Sequence, residues 1–292
     1  MTIYRGRFAP SPTGPLHFGS LVAAVGSYLD ARANGGTWLV RVEDLDPPRA
    51  IEGASRSQLA TLAGFGMVSD EPVVYQSHRF DAYGEALERL RRLGVVFDCG
   101  CSRRDLPSDG IYPGTCRQGL PPGRRPRSVR ARAPVGVISV HDAVQGTYSQ
   151  ELVTEVGDFI VQRADGLAAY QLAVVVDDAW QGITDVVRGA DLLDSAPRQI
   201  HLQRLLGLPQ PRYAHLPLVL DEQGNKLSKH LRAGAVDGER PAAVLNAALA
   251  FLGLAPPPGL ARAPLSELWR FAVAEWSLDL VPPARGLPPP SG

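Results

Sequence analysis

Leu21, Val25 and Leu29 recur at four-residue spacing between Phe18 and Arg32, which predicts an amphipathic helix stopped by Asn34-Gly35-Gly36. Ahead of it, Ile3 to Ala9 reads as a short strand, followed by Pro10-Ser11-Pro12-Thr13-Gly14-Pro15, which neither a helix nor a central strand accommodates. Behind it, Trp38-Leu39-Val40-Arg41-Val42 predicts a second strand that ends at Glu43-Asp44. Strand, loop, helix and strand in such close succession form a βαβ unit of a parallel sheet.

Two helical stretches follow, Ser55 to Phe65 and Tyr83 to Leu93, and then the pattern breaks. Cys99 to Ala133 is rich in Cys, Gly, Pro and Arg with little periodicity and reads as an inserted subdomain, closed by strands at Val135 to Val140 and Tyr148 to Val156. The α/β pattern resumes with strands at Asp158 to Arg163 and at the apolar run Tyr170 to Val176, which Asp177 and Asp178 end. A short strand Ile183 to Val187, a helix Ala196 to Leu206 and a strand His215 to Leu220 come next, then amphipathic helices at Arg240 to Leu254 and Leu265 to Trp276. The expected division is 1–97 and 157–235 as two halves of one α/β domain, 98–156 as the insertion, 236–280 as a C-terminal helical element and 281–292 as a disordered Pro-rich tail.

With 292 residues, 45% of them hydrophobic, the chain can bury a core without disulfides, and three cysteines are too few and odd in number for a secreted framework. No apolar run approaches the roughly 20 residues of a membrane helix, and the first residues lack the apolar stretch of a signal peptide, so a soluble, cytoplasmic protein is expected. The 30 basic and 30 acidic side chains cancel, which excludes a global positive field as a means of holding nucleic acid. The arginines concentrate instead: eight lie between Arg103 and Arg132. The chain's two lysines both fall in Lys226-Leu227-Ser228-Lys229, where a compact ammonium on a flexible stem is implied in a sequence that otherwise uses arginine.

The Pro/Gly loop runs straight into a helix at His17-Phe18-Gly19-Ser20, and a helix start of this kind offers N–H groups and a positive dipole end to an anion. His17 can donate to a phosphate, and Gly19 lets a flat group lie against the backbone; alone, the same residues describe a capped helix with a structural histidine. Together with the distant Lys226-Leu227-Ser228-Lys229-His230, this pattern resembles the class I aminoacyl-tRNA synthetases, with a His-x-Gly-His-type helix start and a Lys-Met-Ser-Lys-Ser-type loop. Ser20 stands where the second histidine falls, and Leu227 replaces methionine at similar volume. Arg7-Phe8-Ala9-Pro10-Ser11-Pro12-Thr13-Gly14, Arg41-Val42-Glu43-Asp44-Leu45-Asp46, Val175-Val176-Asp177-Asp178 and Val187-Arg188-Gly189-Ala190-Asp191-Leu192 are similar to the glutamyl branch. Within it, the chain most resembles the shortened glutamyl-queuosine paralogues, which attach glutamate to the queuosine base in the anticodon of tRNA(Asp). Residues 230–292 leave room for one small helical element, where a full glutamyl-tRNA synthetase is expected to carry a large anticodon-binding domain.

The resemblance implies an α/β fold: a class I synthetase Rossmann-type parallel sheet with an inserted zinc-binding subdomain and a small C-terminal helical element. It implies a monomeric ligase that activates L-glutamate with ATP and Mg²⁺ without needing tRNA, then transfers glutamate to queuosine-containing tRNA(Asp). His17 and Lys229 are the implied catalytic groups, with Gly19, Ser20 and Lys226 completing the ATP site. Arg7, Glu43, Tyr170 and Arg188 match the amino-acid pocket, with Phe8, Ala9, Pro10 and Ser11 lining it. Two arginines are expected to divide the two carboxylates of glutamate and Glu43 to face its ammonium, because buried charges must be paired. Asp177, Asp178 and Asp191 are expected near the site without assigned roles.

Cys99, Cys101 and Cys116 lie close together in a stretch with few apolar residues, which points to a structural Zn²⁺ site. Composition offers Asp98, Asp105, Asp109, Tyr112 or His141 as the fourth ligand, and the resemblance points to Tyr112. A basic run beside such an insertion suits RNA phosphates. Three other readings compete: a truncated glutamyl-tRNA synthetase charging tRNA(Glu), a small-molecule nucleotidylyltransferase, and a non-catalytic tRNA-binding paralogue.

Overall fold

The computed structural model describes residues 3–221, 223–225, 236 and 240–289. In chain order the strands are β1 (Arg5–Phe8), β2 (Thr37–Val42), β3 (Val74–Tyr75), β4 (Val96–Cys99), β5 (Ser128–Ala131), β6 (Val137–Asp142), β7 (Gly146–Glu151), β8 (Phe159–Gln162), β9 (Asp185–Gly189), β10 (Arg212–Leu216), β11 (Leu218–Val219) and β12 (Gly286–Leu287). The helices are α1 (Phe18–Ala33), α2 (Ala54–Gly64), α3 (Phe80–Arg92), α4 (Leu152–Glu155), α5 (Tyr170–Trp180), α6 (Ala196–Leu206), α7 (Pro241–Phe251) and α8 (Leu265–Glu275).

The main sheet has the order β3-β2-β1-β9-β10-β6-β7, parallel except for the hairpin partner β7. From β1 the chain goes to β2 on one side, and β9 fills the other side much later, so the strand order reverses at β1. Such a switch point opens a crevice beyond the carboxyl ends of the strands, which is where ligands bind in open α/β sheets.

α1 begins where the Pro/Gly loop ends and carries Leu21, Val25 and Leu29 fully buried, as their spacing requires. It is buried on more than one side, because β1 and β9 lie under it and α7 and α8 cover it. Trp276 of the C-terminal region donates Nε1–H to Asp30 at 3.1 Å, and Trp269 donates to the Phe65 carbonyl at 2.7 Å, tying the helical element to the α/β body.

Four expectations change. The apolar run from Tyr170 is the first part of helix α5, with Asp177 and Asp178 buried within it. The run packs against α3, α6 and β8, and a segment covered on nearly all sides loses the periodicity that separates helix from strand. The strand at 158–163 is β8, which pairs antiparallel with β5 in a separate sheet β4-β5-β8. The strands expected to close the insertion form the hairpin β6–β7, which extends the main sheet from β10; β7 ends at Glu151 and α4 follows. The C-terminal tail, expected to be disordered from Val281, is ordered through residue 289: Val281 is buried, and β12 pairs with β11. The tail contributes carbonyls to this pairing, Leu287 O accepting from Leu220 N at 2.8 Å and Arg285 O from Leu218 N at 3.0 Å, and a proline-rich chain loses N–H donors but no acceptors.

Candidate functional site

A cavity of about 300 Å³ opens at the carboxyl ends of β1, β2, β9 and β10. It is lined by Arg7, Phe8, Ala9, Pro10 and Ser11 from β1 and its loop, by His17, Gly19 and Ser20 from the start of α1, and by Glu43, Tyr170 and Arg188. Every amino-acid-pocket residue named from the sequence is therefore at one site, together with three of the five named for ATP. Lys226 and Lys229, with the neighbouring His230, lie outside the described residues.

The side of the cavity at the start of α1 is built largely from backbone. The His17 ring caps α1, its Nδ1 accepting from Ser20 N at 3.2 Å, which places the ring proton on Nε2. At Gly19 an added Cβ would meet the His17 ring at 3.3 Å, so a side chain there would press on the capping ring beside the cavity wall. The preceding loop is held by Gln58 of α2, whose side-chain amide donates to Ser11 O at 3.0 Å and Gly14 O at 2.7 Å. Glu43 N donates to Pro10 O at 2.9 Å and joins the loop to the end of β2. Gln58 was missed from the sequence; it sits on a helix, where a glutamine is unremarkable until its target loop is known.

The side of the cavity at Arg7 and Glu43 is a network of buried charge. Asp178 receives Arg7 through Nε at 3.1 Å and Nη2 at 3.2 Å, and Arg41 through Nη1 at 2.8 Å. Arg41 also donates to Gln181 at 2.7 Å and to Glu43 at 3.3 Å. Asp177, on the same helix, is fully buried and accepts from Gln76, Arg79 and Tyr83. Burial opposes the charge of Asp178, yet Arg7 and Arg41 outweigh it and hold its carboxyl below the usual range. At Glu43 burial wins over Arg41 and Arg7, and its carboxyl is pushed up. Glu43 both pairs with Arg41 and lines the cavity. Asp44 instead accepts from Ser77 N at 2.8 Å and from its hydroxyl at 2.6 Å. Arg41 was not named for the site, and Asp178 was expected near it without a role. Their signal is a charge inside an apolar run, which demands a partner without saying which.

Arg188, at the end of β9, donates Nε–H to His215 Nε2 at 2.9 Å, Nη1 to the Tyr170 hydroxyl at 3.4 Å and Nη2 to Leu192 O at 3.2 Å. His215 is fully buried on β10, and its Nδ1 is 2.5 Å from Asp142 Oδ2. Burial and the facing Arg188 push the imidazole down to about 4, against the pull of Asp142, so it is neutral at pH 7. Asp191 lines the cavity from the 3-10 turn Ala190–Ser195.

Away from this cavity, Cys99, Cys101 and Cys116 are buried with their sulfurs within 4.8 Å of one another. The Tyr112 hydroxyl is 3.4 Å from Cys99 Sγ and accepts from Cys116 N at 2.8 Å. Burial raises the Cys99 thiol, but Tyr112, the Cys101 amide and Arg130 outweigh it and bring it down to about 7. Three sulfurs and a phenol oxygen converging in a pocket with Arg130 Nε 3.3 Å from Cys99 fit a thiolate-loving, four-coordinate ion. Gly157, at φ +72, lets the chain pass Tyr112: a Cβ there would lie 2.4 Å from the Tyr112 carbonyl oxygen. Asp98, Asp105, Asp109 and His141 are outside the cluster; Asp105 caps a short 3-10 turn and pairs with Arg124, and His141 contacts Thr147.

The family model for the catalytic domain of class I tRNA synthetases (E and Q) matches residues 4–109 and 121–243. The chain belongs to this family. A protein from Dechloromonas aromatica named glutamyl-Q tRNA(Asp) synthetase is 57% identical over 288 residues, covering 96% of each chain. One of the same name from Pseudomonas aeruginosa is 54% identical over 286 residues, covering 98% of this chain and 97% of its own. Among solved structures, the glutamate-tRNA synthetase of Elizabethkingia anophelis superposes with a TM-score of 0.82 at 27% identity, covering 97% of this chain and 67% of that one. The class I synthetase thus has the expected α/β fold with its parallel sheet. No helix among the described residues is long and apolar enough to cross a membrane.

Proposed function

We propose that this protein activates L-glutamate with ATP to glutamyl adenylate, without requiring tRNA, and transfers the glutamyl group to the queuosine base in the anticodon of tRNA(Asp). One observation carries the first step: Arg7, Glu43, Tyr170 and Arg188 share a single cavity with the amino-terminal end of α1. In this reading a glutamate carboxylate oxygen attacks the α-phosphorus of ATP and pyrophosphate leaves. The protein's part is to position the reactants and to neutralise charge moving onto the phosphates. His17, the backbone at Gly19 and Ser20, and the ammonium groups of Lys226 and Lys229 take the triphosphate, with Mg²⁺ held chiefly by phosphate oxygens and water. Arg7 and Arg188 take the carboxylates, Glu43 the α-ammonium, and Tyr170 a hydroxyl contact and a wall. Phe8, Ala9, Pro10 and Ser11 enclose the substrate.

Cys99, Cys101, Tyr112 and Cys116 would hold Zn²⁺, which when bound supplies folding free energy to the insertion rather than chemistry. The protein works as a monomer in the cytoplasm, and the near-full-length identity to proteins named glutamyl-Q tRNA(Asp) synthetase supports the queuosine target.

The test is glutamate-dependent ATP–pyrophosphate exchange without tRNA, followed by transfer of labelled glutamate. Exchange is expected, with label on queuosine-containing tRNA(Asp) and none on tRNA(Glu). Label on tRNA(Glu) would establish the truncated glutamyl-tRNA synthetase reading instead, and absence of exchange would leave the binding-only reading. Lys229→Ala is expected to reduce exchange severely; full activity would remove its assigned role.

A further inference from the structure

Arg7 and Arg188 line the same cavity, but their charges are balanced differently. Arg7 contacts Asp178 with two of its nitrogens, so a carboxylate already sits against it. Among the described residues Arg188 makes no ion pair; a neutral ring nitrogen, a phenol oxygen and a backbone carbonyl receive its N–H groups. A guanidinium has five N–H donors. Three of those of Arg188 are used, one on each nitrogen, which leaves one N–H on each terminal nitrogen. Two N–H groups on adjacent terminal nitrogens are what a carboxylate accepts in a bidentate contact.

The arrangement depends on the tautomer of His215. An arginine has no acceptor, so the bond from Arg188 Nε–H requires a lone pair on His215 Nε2. The proton must then be on Nδ1, where Asp142 Oδ2 accepts it at 2.5 Å. Asp142 is itself fixed, because its Oδ1 accepts from His215 N at 3.0 Å, Gln145 N at 2.8 Å and Val144 N at 3.1 Å. Asp142 ends β6, His215 lies on β10 and Arg188 on β9, so the chain of bonds crosses three neighbouring strands of one rigid sheet. The ring of Tyr213 stacks on His215, with centroids 6.0 Å apart, and lies 5.5 Å from the Arg188 guanidinium carbon.

We propose that Asp142 and His215 are positioning residues for glutamate: they hold Arg188 by its Nε–H, with a neutral acceptor, so that its two terminal nitrogens face the cavity as a charged clamp for one substrate carboxylate. A carboxylate in the place of His215 would neutralise Arg188 as Asp178 does Arg7; a neutral imidazole orients the guanidinium and leaves its charge for the ligand. This inference rests on the proposed activation of glutamate at this cavity.

The test compares Asp142→Asn, His215→Phe and His215→Gln with the unaltered protein in tRNA-independent exchange. Asparagine keeps the Oδ1 contacts but presents an NH₂ to His215, which reverses the tautomer and turns an N–H toward Arg188. Asp142→Asn and His215→Phe are expected to raise the KM for glutamate by about tenfold or more, with the KM for ATP unchanged. His215→Gln, whose amide oxygen can accept from Arg188, should recover most of the loss. The thermal midpoint should still rise with ATP in all three, and with glutamate only in the unaltered protein and His215→Gln. An unchanged glutamate KM in Asp142→Asn, equal increases for ATP and glutamate, or a His215→Gln protein as impaired as His215→Phe would overturn the inference while leaving the functional reading intact. If Asp142→Asn does not fold, the two His215 variants decide by the same comparison. No glutamate-dependent exchange by the unaltered protein would overturn the functional reading and this inference together.

Discussion

Asp178 joins two arginines that are far apart in the chain: Oδ1 is 3.1 Å from Arg7 Nε and 2.8 Å from Arg41 Nη1. Arg7 lines the cavity and Arg41 is fully buried, so one carboxylate of α5 links a cavity-lining arginine to an interior one. Substituting Asp178→Asn leaves both guanidinium groups without their shared counter-charge, and removing one partner of a buried pair typically costs about 3–5 kcal/mol. The expected result is a clear drop in the denaturation midpoint together with a raised glutamate KM. Because the folded Asp178 carboxyl is held below its ordinary range, its contribution is complete at neutral pH and is lost only as pH falls below the usual aspartate range of about 4. The unaltered protein should therefore lose more stability between pH 5 and acid than Asp178→Asn does, as read from denaturant melts at each pH.

Glu43 behaves in the opposite sense. Its carboxyl is pushed up by burial, and the proposed contact with the ammonium of glutamate requires it ionised. As pH falls through that raised value, kcat/KM for glutamate should decline, and it should do so at higher pH than an ordinary glutamate side chain, at about 4.3, would produce. Glu43→Gln should lower kcat/KM and flatten this acid limb. A profile of exchange rate against pH for the two proteins measures both effects.

The cysteine cluster predicts a metal-dependent fold for the insertion. Purified protein should contain about one zinc per chain, and a strong chelator should remove it with loss of thermal stability. Cys116→Ser is expected to lower zinc content and to expose the Cys99–Tyr112 region to proteolysis, with ATP binding at the distant cavity retained. Metal analysis and limited proteolysis give the readout.

The ordered tail predicts a role for residues that composition alone marks as dispensable. β12 covers one edge of β11, whose Leu218 and Val219 line the cavity just before the two-lysine segment. Arg285 adds a contact to Asp194 at 2.9 Å, and Gln145 of the β6–β7 turn donates to Ala284 O at 2.9 Å. A chain ended after residue 281 should melt lower and show a higher KM for ATP, and the exposed pairing edge should increase aggregation in light scattering.

Much of the site was legible in the sequence because its elements are local. A Pro/Gly loop followed at once by His17 and Gly19 requires no knowledge of distant residues, and neither does the spacing of Leu21, Val25 and Leu29 or the clustering of Cys99, Cys101 and Cys116. Arg7, Glu43, Tyr170 and Arg188 were recoverable through motif resemblance, and the cavity contains all four. The helix from Tyr170 was misread as a strand because burial on nearly every side erases periodicity, and the tail was misread because prolines say nothing about the edge they pair beside.

The sequence by itself determined the α/β order, the anion-ready start of α1 and the clustering of three cysteines in the insertion, since each follows from residue type and short spacing along a covalent chain. Only the tertiary structure decided that Arg7 pairs with Asp178 while Arg188 is held by a neutral His215, or that β6 and β7 complete the main sheet. Those choices depend on which strands and helices meet across separations of up to 171 residues. A charge buried in an apolar run must find a partner, and packing alone settles which partner is within reach.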